Sequence, residues 1–206
     1  ETTWAMNRVH LWYEHTDWRP SYYLMVDFNQ QNPHDYWKDC LRAHWDTPKY
    51  LWDGFRFGDK GYPALGEGIG EVPNTTWLPR CKAHHYYSGA NTIRRPQSWH
   101  LPDICTALSG LGAMMQLAVL ERATELILLG CDLYVPDYHE NFMVPNYTDD
   151  FRQRDELDNI TMTHMHEIAR RSSPVPIYNA TIGGALEVHP RVDLLQIIGK
   201  EVEHAS

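Results

Sequence analysis

The segment 132–139 contains four residues that could do chemistry together, namely Asp132, Tyr134, Tyr138 and His139. Histidine can act as a general base near neutral pH, and tyrosine hydroxyls can donate hydrogen bonds to a departing phosphate without a metal ion. One loop could therefore carry a base and two leaving-group donors, so His139, Tyr134 and Tyr138 are the candidate catalytic residues. A solvated loop with aromatic packing is the alternative, because tyrosine is abundant throughout the chain.

Polar residues also end each of four predicted strands. Runs of strand-favouring or continuously apolar residues at 4–7, 22–27, 125–132 and 175–179 finish on Asn7, Asp27, Asp132 and Asn179. In open α/β sheets ligands bind outside the carboxyl ends of the strands, so we expect these four side chains to converge on one site at the edge of one parallel sheet. The alternative is that Asp and Asn end strands because they favour turns.

The elements that position these residues follow an α/β pattern. Apolar spacing predicts helices at 109–123, 155–171 and 193–203, and the first two alternate with the strands at 125–132 and 175–179. Two crossover units of this kind predict a single domain over 1–206, with a Rossmann-like, mostly parallel sheet and helices on both faces. Dense Gly and Pro between 54 and 102 predict an insertion or lid with short strands, or a plain structural excursion.

Composition excludes several classes of protein. Of 206 residues, 43% are hydrophobic and 22% charged, which is typical of a globular domain, and the net charge of −9 argues against a nucleic-acid partner. Apolar runs are too short for a membrane span, and no secretory signal is visible at the start. Four scattered cysteines without a Cys-x-x-Cys pair indicate a reducing compartment, so we expect a cytoplasmic location.

Phosphate binding is the second chemistry that the sequence suggests. Gly183 and Gly184 would let backbone amides approach a phosphate before a helix that we expect to begin at Leu186, although a tight turn is the alternative. Glu187 in the first turn of that helix is explained by its complementing the helix dipole. Ser109 lacks the Gly-x-Ser-x-Gly elbow of a hydrolase nucleophile and is better explained as a helix N-cap. Surface arginines are further candidate phosphate partners, namely Arg8, Arg94 and Arg95.

No residue pattern predicts a metal site. His164 and His166 are two residues apart, which on a helix directs them to nearly opposite sides. His84-His85 has only Cys81 nearby, and no Asp-x-Asp triplet of a metal-dependent glycosyltransferase occurs. We therefore expect neither a metal nor a cofactor.

The order of motifs in the second half of the chain resembles a known core. Ser109-Gly110 opens a predicted helix, and the strand from Leu126 runs into Gly130-Cys131-Asp132-Leu133-Tyr134. This order resembles the Ser-Gly, helix, strand, Gly-x-Asp-hydrophobic-Tyr core of the bacterial sialyltransferases of glycosyltransferase family 42. The same core occurs in the MptE-like proteins, which are grouped with archaeal hydroxymethylpterin diphosphokinase. The segment 4–9 is similar to the family's second strand, whose Asn contacts the donor nucleotide. The segments 177–180 and 185–187 are similar to the family's closing strand and helix.

The chain departs from that family at three points. The family's first strand and Gly-x-Gly-Pro-Ser nucleotide loop would precede Trp4, so we expect an amino-terminal unit to be missing here. Thr106-Ala107-Leu108 stands where the sialyltransferases carry an Arg, and 155–158 lacks their catalytic His. His139 is therefore the nearest substitute for that base.

The resemblance implies metal-independent transfer of a sugar from a nucleotide-sugar donor to a glycan acceptor, as in polysaccharide biosynthesis. Two alternatives stay open: diphosphate transfer to a pterin-like alcohol, with Asp27 and Asp132 holding Mg²⁺, and a non-catalytic nucleotide- or glycan-binding module. The expected substrate-binding residues are Asn7, Asp27, Ser109, Gly110, Asp132, Asn179, Gly183 and Gly184.

Overall fold

The computed structural model describes residues 1–26, 36–52, 72–78, 99, 110–133 and 156–197. Within these ranges parallel strands and helices share the chain, so the protein has an α/β fold. The elements in chain order are β1 (Trp4–Met6), a 3-10 helix (Val9–Trp12), β2 (Tyr22–Met25), α1 (Tyr36–Ala43), β3 (Lys49–Trp52), β4 (Thr75–Leu78), α2 (Gly110–Leu120), β5 (Leu126–Leu128), α3 (Glu156–Ser172) and β6 (Ile177–Asn179).

Every strand pair that the structure describes is parallel. β1, β2, β3 and β4 form a four-stranded sheet in that order. β5 and β6 form a separate pair, in which Leu126 lies opposite Ile177, and α3 connects them as a crossover helix. The carboxyl ends of β5 and β6 therefore lie at the same edge.

The four polar-ended strands do not form one hydrogen-bonded sheet in the described residues, contrary to the expectation. β1 and β2 belong to the four-stranded sheet, whereas β5 and β6 pair only with each other. Apolar packing joins the two sets instead, because Trp4 and Met6 of β1 and Met114 of α2 pack against both hydrophobic clusters.

Helices α1 and α2 cover opposite faces of the four-stranded sheet. Tyr22 donates a hydrogen bond from its hydroxyl to Glu121, directly after α2, at 3.2 Å. The next residue, Tyr23, stacks on the ring of His44, directly after α1, with 3.8 Å between ring centroids. Adjacent residues of a strand point to opposite faces of the sheet, so the two helices lie on opposite sides.

Helix α2 is the central element of the core. Its residues Ala113 and Leu117 are buried in the cluster formed with β2, β3 and α1. Leu111, Met115 and Ala118 are buried in the second cluster, with β5, β6 and α3. The helix is apolar around most of its circumference, so it packs on two sides, whereas the apolar spacing alone predicted a helix without showing this second packed side.

One cation is buried at the start of β3. The side chain of Lys49 is only 1% exposed, and its Nζ donates to the carbonyls of Trp45 at 2.9 Å and Pro73 at 2.8 Å. Burial lowers the pKa of this ammonium group to about 8. Lys49 thereby joins the turns that precede β3 and β4.

Two of the predicted strands end earlier than expected, and a residue with left-handed backbone follows each of them. Asn7 has φ 55° and terminates β1 at Met6, as a short polar side chain can in this conformation. Gly130 has φ 65° and lies two residues beyond the end of β5. Leu129, predicted within a buried strand, is 56% exposed because it follows the last paired residue.

The structure contains three elements that the sequence pattern did not predict, namely the 3-10 helix, α1 and β3. β4 is a short strand within 54–102, where short strands were expected, but it pairs with β3 as part of the main sheet. Of the helix predicted at 193–203, the described part is one turn at 194–197. No helix in the described ranges is long and apolar enough to span a bilayer.

Candidate functional site

The segments that follow β5 and β6 meet at the carboxyl edge of this strand pair. The amide of Ala185 donates to the carbonyl of Asp132 at 2.8 Å, and the amide of Cys131 donates to Oγ1 of Thr181 at 2.9 Å. Gly184, at φ 71°, lies so close that a Cβ atom there would be 2.7 Å from the Cα of Asp132. Asp132, Gly183 and Gly184 were predicted as site residues, and the structure brings them together on one surface.

The carboxylate of Asp132 is available at this surface. Its residue is partly exposed, and no hydrogen bond or ion pair among the described residues engages its side chain. The neighbouring thiol of Cys131 has its pKa raised to about 12, by burial and then by the charge of Asp132. Asp132 can therefore accept hydrogen bonds from hydroxyl groups of a ligand, whereas the protonated Cys131 thiol is a poor nucleophile.

Asn179 lies at this edge, but its side chain faces inward. It is fully buried, its Nδ2 donates to the carbonyl of Leu186 at 2.8 Å, and its Oδ1 accepts from the amide of Thr181 at 3.0 Å. Its amide group therefore holds both ends of the segment 181–186, which we name the glycine loop. A direct contact between Asn179 and a ligand stays a prediction.

The sequence analysis did not identify Arg191, which holds the same loop from outside. Its guanidinium group donates to the carbonyls of Thr181, Gly183 and Gly184 and forms an ion pair with Glu187. The prediction of a helix that begins at Leu186 is wrong, because residues 185–187 are not helical, and Glu187 pairs with Arg191 instead of complementing a helix dipole. No local pattern marks the contacts of Arg191 with the loop, because these three partners are backbone carbonyls seven to ten residues earlier.

Asn7 lies at the carboxyl end of β1, where its carbonyl accepts from the hydroxyl of Tyr23 at 2.7 Å and from the thiol of Cys40 at 3.3 Å. Within the described ranges, no hydrogen bond joins Asn7 to Asp132 or to the glycine loop. Its predicted contact with a donor nucleotide stays a prediction.

The thiol of Cys40 also lies 3.5 Å from Nδ1 of His10, which resembles a nucleophile and base in spacing. Burial raises the pKa of the Cys40 thiol to about 11 and lowers that of His10. A buried, protonated thiol beside a poor base does not support nucleophilic catalysis. Cys40 therefore packs α1 against β1 and β2.

The histidines of α3 lie on different sides of the helix, as the two-residue spacing predicted. His166 is 1% exposed, and its Nδ1 lies 3.0 Å from Nε2 of His189, which is equally buried. His164 is half exposed and lies 3.6 Å from the carboxylate of Glu167. Among the described residues, no group of three or more metal-ligating side chains could hold an ion.

Several predicted site residues lie outside the described residues. Gly110 is described and begins α2 as a buried residue. The predicted site residues that lie outside the described residues are Asp27, Ser109, Tyr134, Tyr138, His139, Arg94 and Arg95. Their proposed roles stay predictions.

Comparison with protein-family models, curated proteins and solved structures finds no match for this chain. The resemblance to sialyltransferases and MptE-like proteins therefore rests on its sequence motifs alone.

Proposed function

We propose that this chain is a Rossmann-like, metal-independent glycosyltransferase that binds a nucleotide-sugar where the ends of β5 and β6 meet. The observation that carries this proposal is the contact between Gly184 and the backbone of Asp132. It joins a carboxylate that has no partner among the described residues to a glycine loop at the carboxyl edge of parallel strands, which is where open α/β sheets bind ligands.

The two halves of this surface suit the two halves of a nucleotide. A carboxylate such as that of Asp132 accepts hydrogen bonds from ribose or sugar hydroxyls. Gly183 and Gly184 carry no side chains, which lets amide groups of the glycine loop approach a phosphate. Both groups occur on one contact surface, which favours a ligand that combines hydroxyls with phosphate.

Catalysis in this proposal belongs to the segment that follows Asp132. His139 acts as the base that deprotonates the acceptor hydroxyl of a glycan, and Tyr134 and Tyr138 stabilise the departing phosphate. His139→Ala should lower turnover by roughly 10²- to 10⁴-fold with nearly unchanged donor affinity, since a general base acts on the transition state. Full activity of His139→Ala on an identified acceptor would move the base to the carboxylates at 155–158.

Nucleotide binding is the first test, measured by calorimetry with CMP, UDP, GDP and ADP in excess chelator. Asp132→Asn should lower the affinity for the ligand that binds most tightly by about 10-fold or more, because it removes a charged acceptor. Asp17→Asn is the matched control, since Asp17 is exposed and remote in sequence from the glycine loop. Its affinity should equal that of the unmodified protein.

The other outcomes separate the rival functions. Binding that disappears with the chelator and returns with Mg²⁺ would favour diphosphate transfer. Binding without turnover of any nucleotide-sugar would favour a non-catalytic module. If none of the four nucleotides binds, with or without Mg²⁺, the proposed function is wrong.

A further inference from the structure

Arg191 makes four contacts with the glycine loop and its flank. Nη1 donates to the carbonyls of Thr181 at 2.6 Å and Gly183 at 2.7 Å. Nη2 donates to the carbonyl of Gly184 at 3.2 Å and to the carboxylate of Glu187 at 2.7 Å. A planar guanidinium with fixed donor directions orients such acceptors more tightly than a lysine could.

These contacts also determine where the amides of the loop point. In a planar trans peptide the N–H points opposite to the C=O of the preceding residue. The amides of Ile182, Gly184 and Ala185 therefore point away from Arg191. The amide of Ala185 confirms this direction, because it reaches the carbonyl of Asp132 on that side.

Two of these three amides lack a partner among the described residues. Ile182 and Gly184 donate to no acceptor in that part of the chain, and both residues are exposed. The positions of these two amides are restrained, since the buried side chain of Asn179 is hydrogen-bonded to both ends of the loop. The backbone around Arg191 is fixed as well, through hydrogen bonds of Asn179 with Pro190 and Val192.

We propose that Arg191 is a positioning residue that holds the amides of Ile182 and Gly184 in place to bind a phosphate group of the ligand. The proposal rests on the nucleotide site proposed above and adds the phosphate position to it. Arg191 acts through the loop, because the four N–H donors of its two terminal nitrogens are already used by three carbonyls and Glu187. Preorganised donors of this kind raise affinity by lowering the ordering cost of binding.

The chemistry of the surroundings favours a nucleotide over free phosphate. Asp132 lies against Gly184, and its negative charge repels an isolated anion. A ligand that presents hydroxyls to this carboxylate and phosphate to the amides satisfies both groups. Affinity should therefore be higher for a nucleotide than for pyrophosphate.

The first test compares a nucleotide with its own nucleoside, using the best ligand among CMP, UDP, GDP and ADP. Arg191→Gln should lower the affinity for the nucleotide at least 10-fold and leave the affinity for the nucleoside unchanged. Arg170→Gln is the matched control, because Arg170 is exposed and, in the described part of the chain, donates to a single carbonyl, that of Val188, near the same loop. It should alter neither affinity. Equal weakening of nucleoside and nucleotide by Arg191→Gln would contradict the proposal.

A second variant separates positioning from charge. Arg191→Lys keeps the charge but loses the planar fork, so it should bind the nucleotide as weakly as Arg191→Gln. Wild-type affinity in Arg191→Lys would show that charge alone suffices and would overturn the proposal.

A third measurement needs no variant and remains valid if Arg191→Gln does not fold. Titration of the unmodified protein with inorganic pyrophosphate should shift the amide resonances of Ile182 and Gly184 in ¹⁵N spectra. If pyrophosphate shifts these amides and no nucleotide binds, the proposed function fails while the phosphate position stands. If neither pyrophosphate nor a nucleotide shifts them, the inference is wrong.

Discussion

A Cβ atom at position 184 would lie 2.7 Å from the Cα of Asp132 and 2.8 Å from its carbonyl oxygen. Both contacts are with backbone atoms, which cannot rotate away as a side chain can. The glycine loop can therefore approach the end of β5 only with glycine at this position.

Gly184→Ala should consequently destabilise the protein by more than Gly183→Ala. Gly184 has φ 71° and Gly183 has φ 75°, so alanine at either position costs about 1 kcal/mol for its left-handed backbone. Only residue 184 adds the clash with Asp132, because a Cβ at 183 meets nothing within 4 Å. We expect a further loss of roughly 1–3 kcal/mol, measured by urea unfolding. Equal losses in the two variants would show that the loop can move away from Asp132.

Much of the fold follows from the sequence pattern, but mainly where apolar runs are long. The continuous apolar run within 125–132 predicts a buried strand, and the apolar spacing at 109–123 and 155–171 predicts helices, because burial requires those patterns. β3 and β4 carry usable signals in Tyr50-Leu51-Trp52 and Thr75-Thr76-Trp77-Leu78. Surrounding Gly and Pro hide these signals, since they mark where regular structure breaks and not where short strands form between the breaks.

The candidate site is predictable only in part, for a related reason. An Asp or Asn at the end of a strand is equally suited to face a ligand or to cap a turn, and the sequence does not distinguish the two. Asp132 has a free carboxylate in the described structure, whereas Asn179 is buried against Leu186 and Thr181. Arg191 depends on tertiary contacts with backbone carbonyls, which leave no residue pattern to find.

Three buried histidines should make the protein sensitive to mild acid. Burial lowers the pKa of His44 and His166 to about 3 and that of His189 to about 4, against 6.5 for an exposed imidazole. Between these values the unfolded chain binds more protons than the folded one. Stability should therefore be full above pH 6.5 and fall steadily as the pH is lowered towards 4.

Urea unfolding at pH 7.5, 6.5, 5.5 and 4.5 measures this slope. His166→Gln should reduce it, because one of the three buried imidazoles is removed. His164→Gln is the matched control two residues away, where the side chain is half exposed. An unchanged slope in His166→Gln would indicate that this imidazole takes up protons while the protein stays folded.

The end of α2 offers a stabilising change. Arg122 has φ 68°, the amide of Ala123 donates to the carbonyl of Ala118, and that of Arg122 donates to Val119. This is a Schellman arrangement with an arginine where glycine is preferred. Arg122→Gly should raise the free energy of unfolding by about 0.5–1 kcal/mol, since relief of the left-handed strain exceeds the added entropy of the unfolded chain.

Arg122→Ala provides the comparison for that change. It removes the same charge and side chain but keeps the Cβ atom that makes positive φ costly. The alanine variant should show no gain in thermal or urea unfolding. A similar gain in both variants would attribute the effect to loss of charge.

Asn179 tests whether a polar strand end serves the fold or the ligand. Asn179→Ala would leave the carbonyl of Leu186 and the amide of Thr181 without partners in a buried place, at a cost of roughly 2–5 kcal/mol. Asn179→Asp keeps an acceptor for the amide of Thr181 but places a second oxygen against the carbonyl of Leu186. The two oxygens repel each other unless the introduced carboxyl group is protonated and donates a hydrogen bond. The pKa of the introduced carboxyl group should therefore be raised in the folded state. The loss in free energy of unfolding relative to the unmodified protein should then shrink as the pH falls from 7 to 5. Urea unfolding of both variants measures these effects. If Asn179→Ala instead retained full stability and only weakened nucleotide binding, Asn179 would be a ligand contact and the inward orientation of its side chain would be wrong.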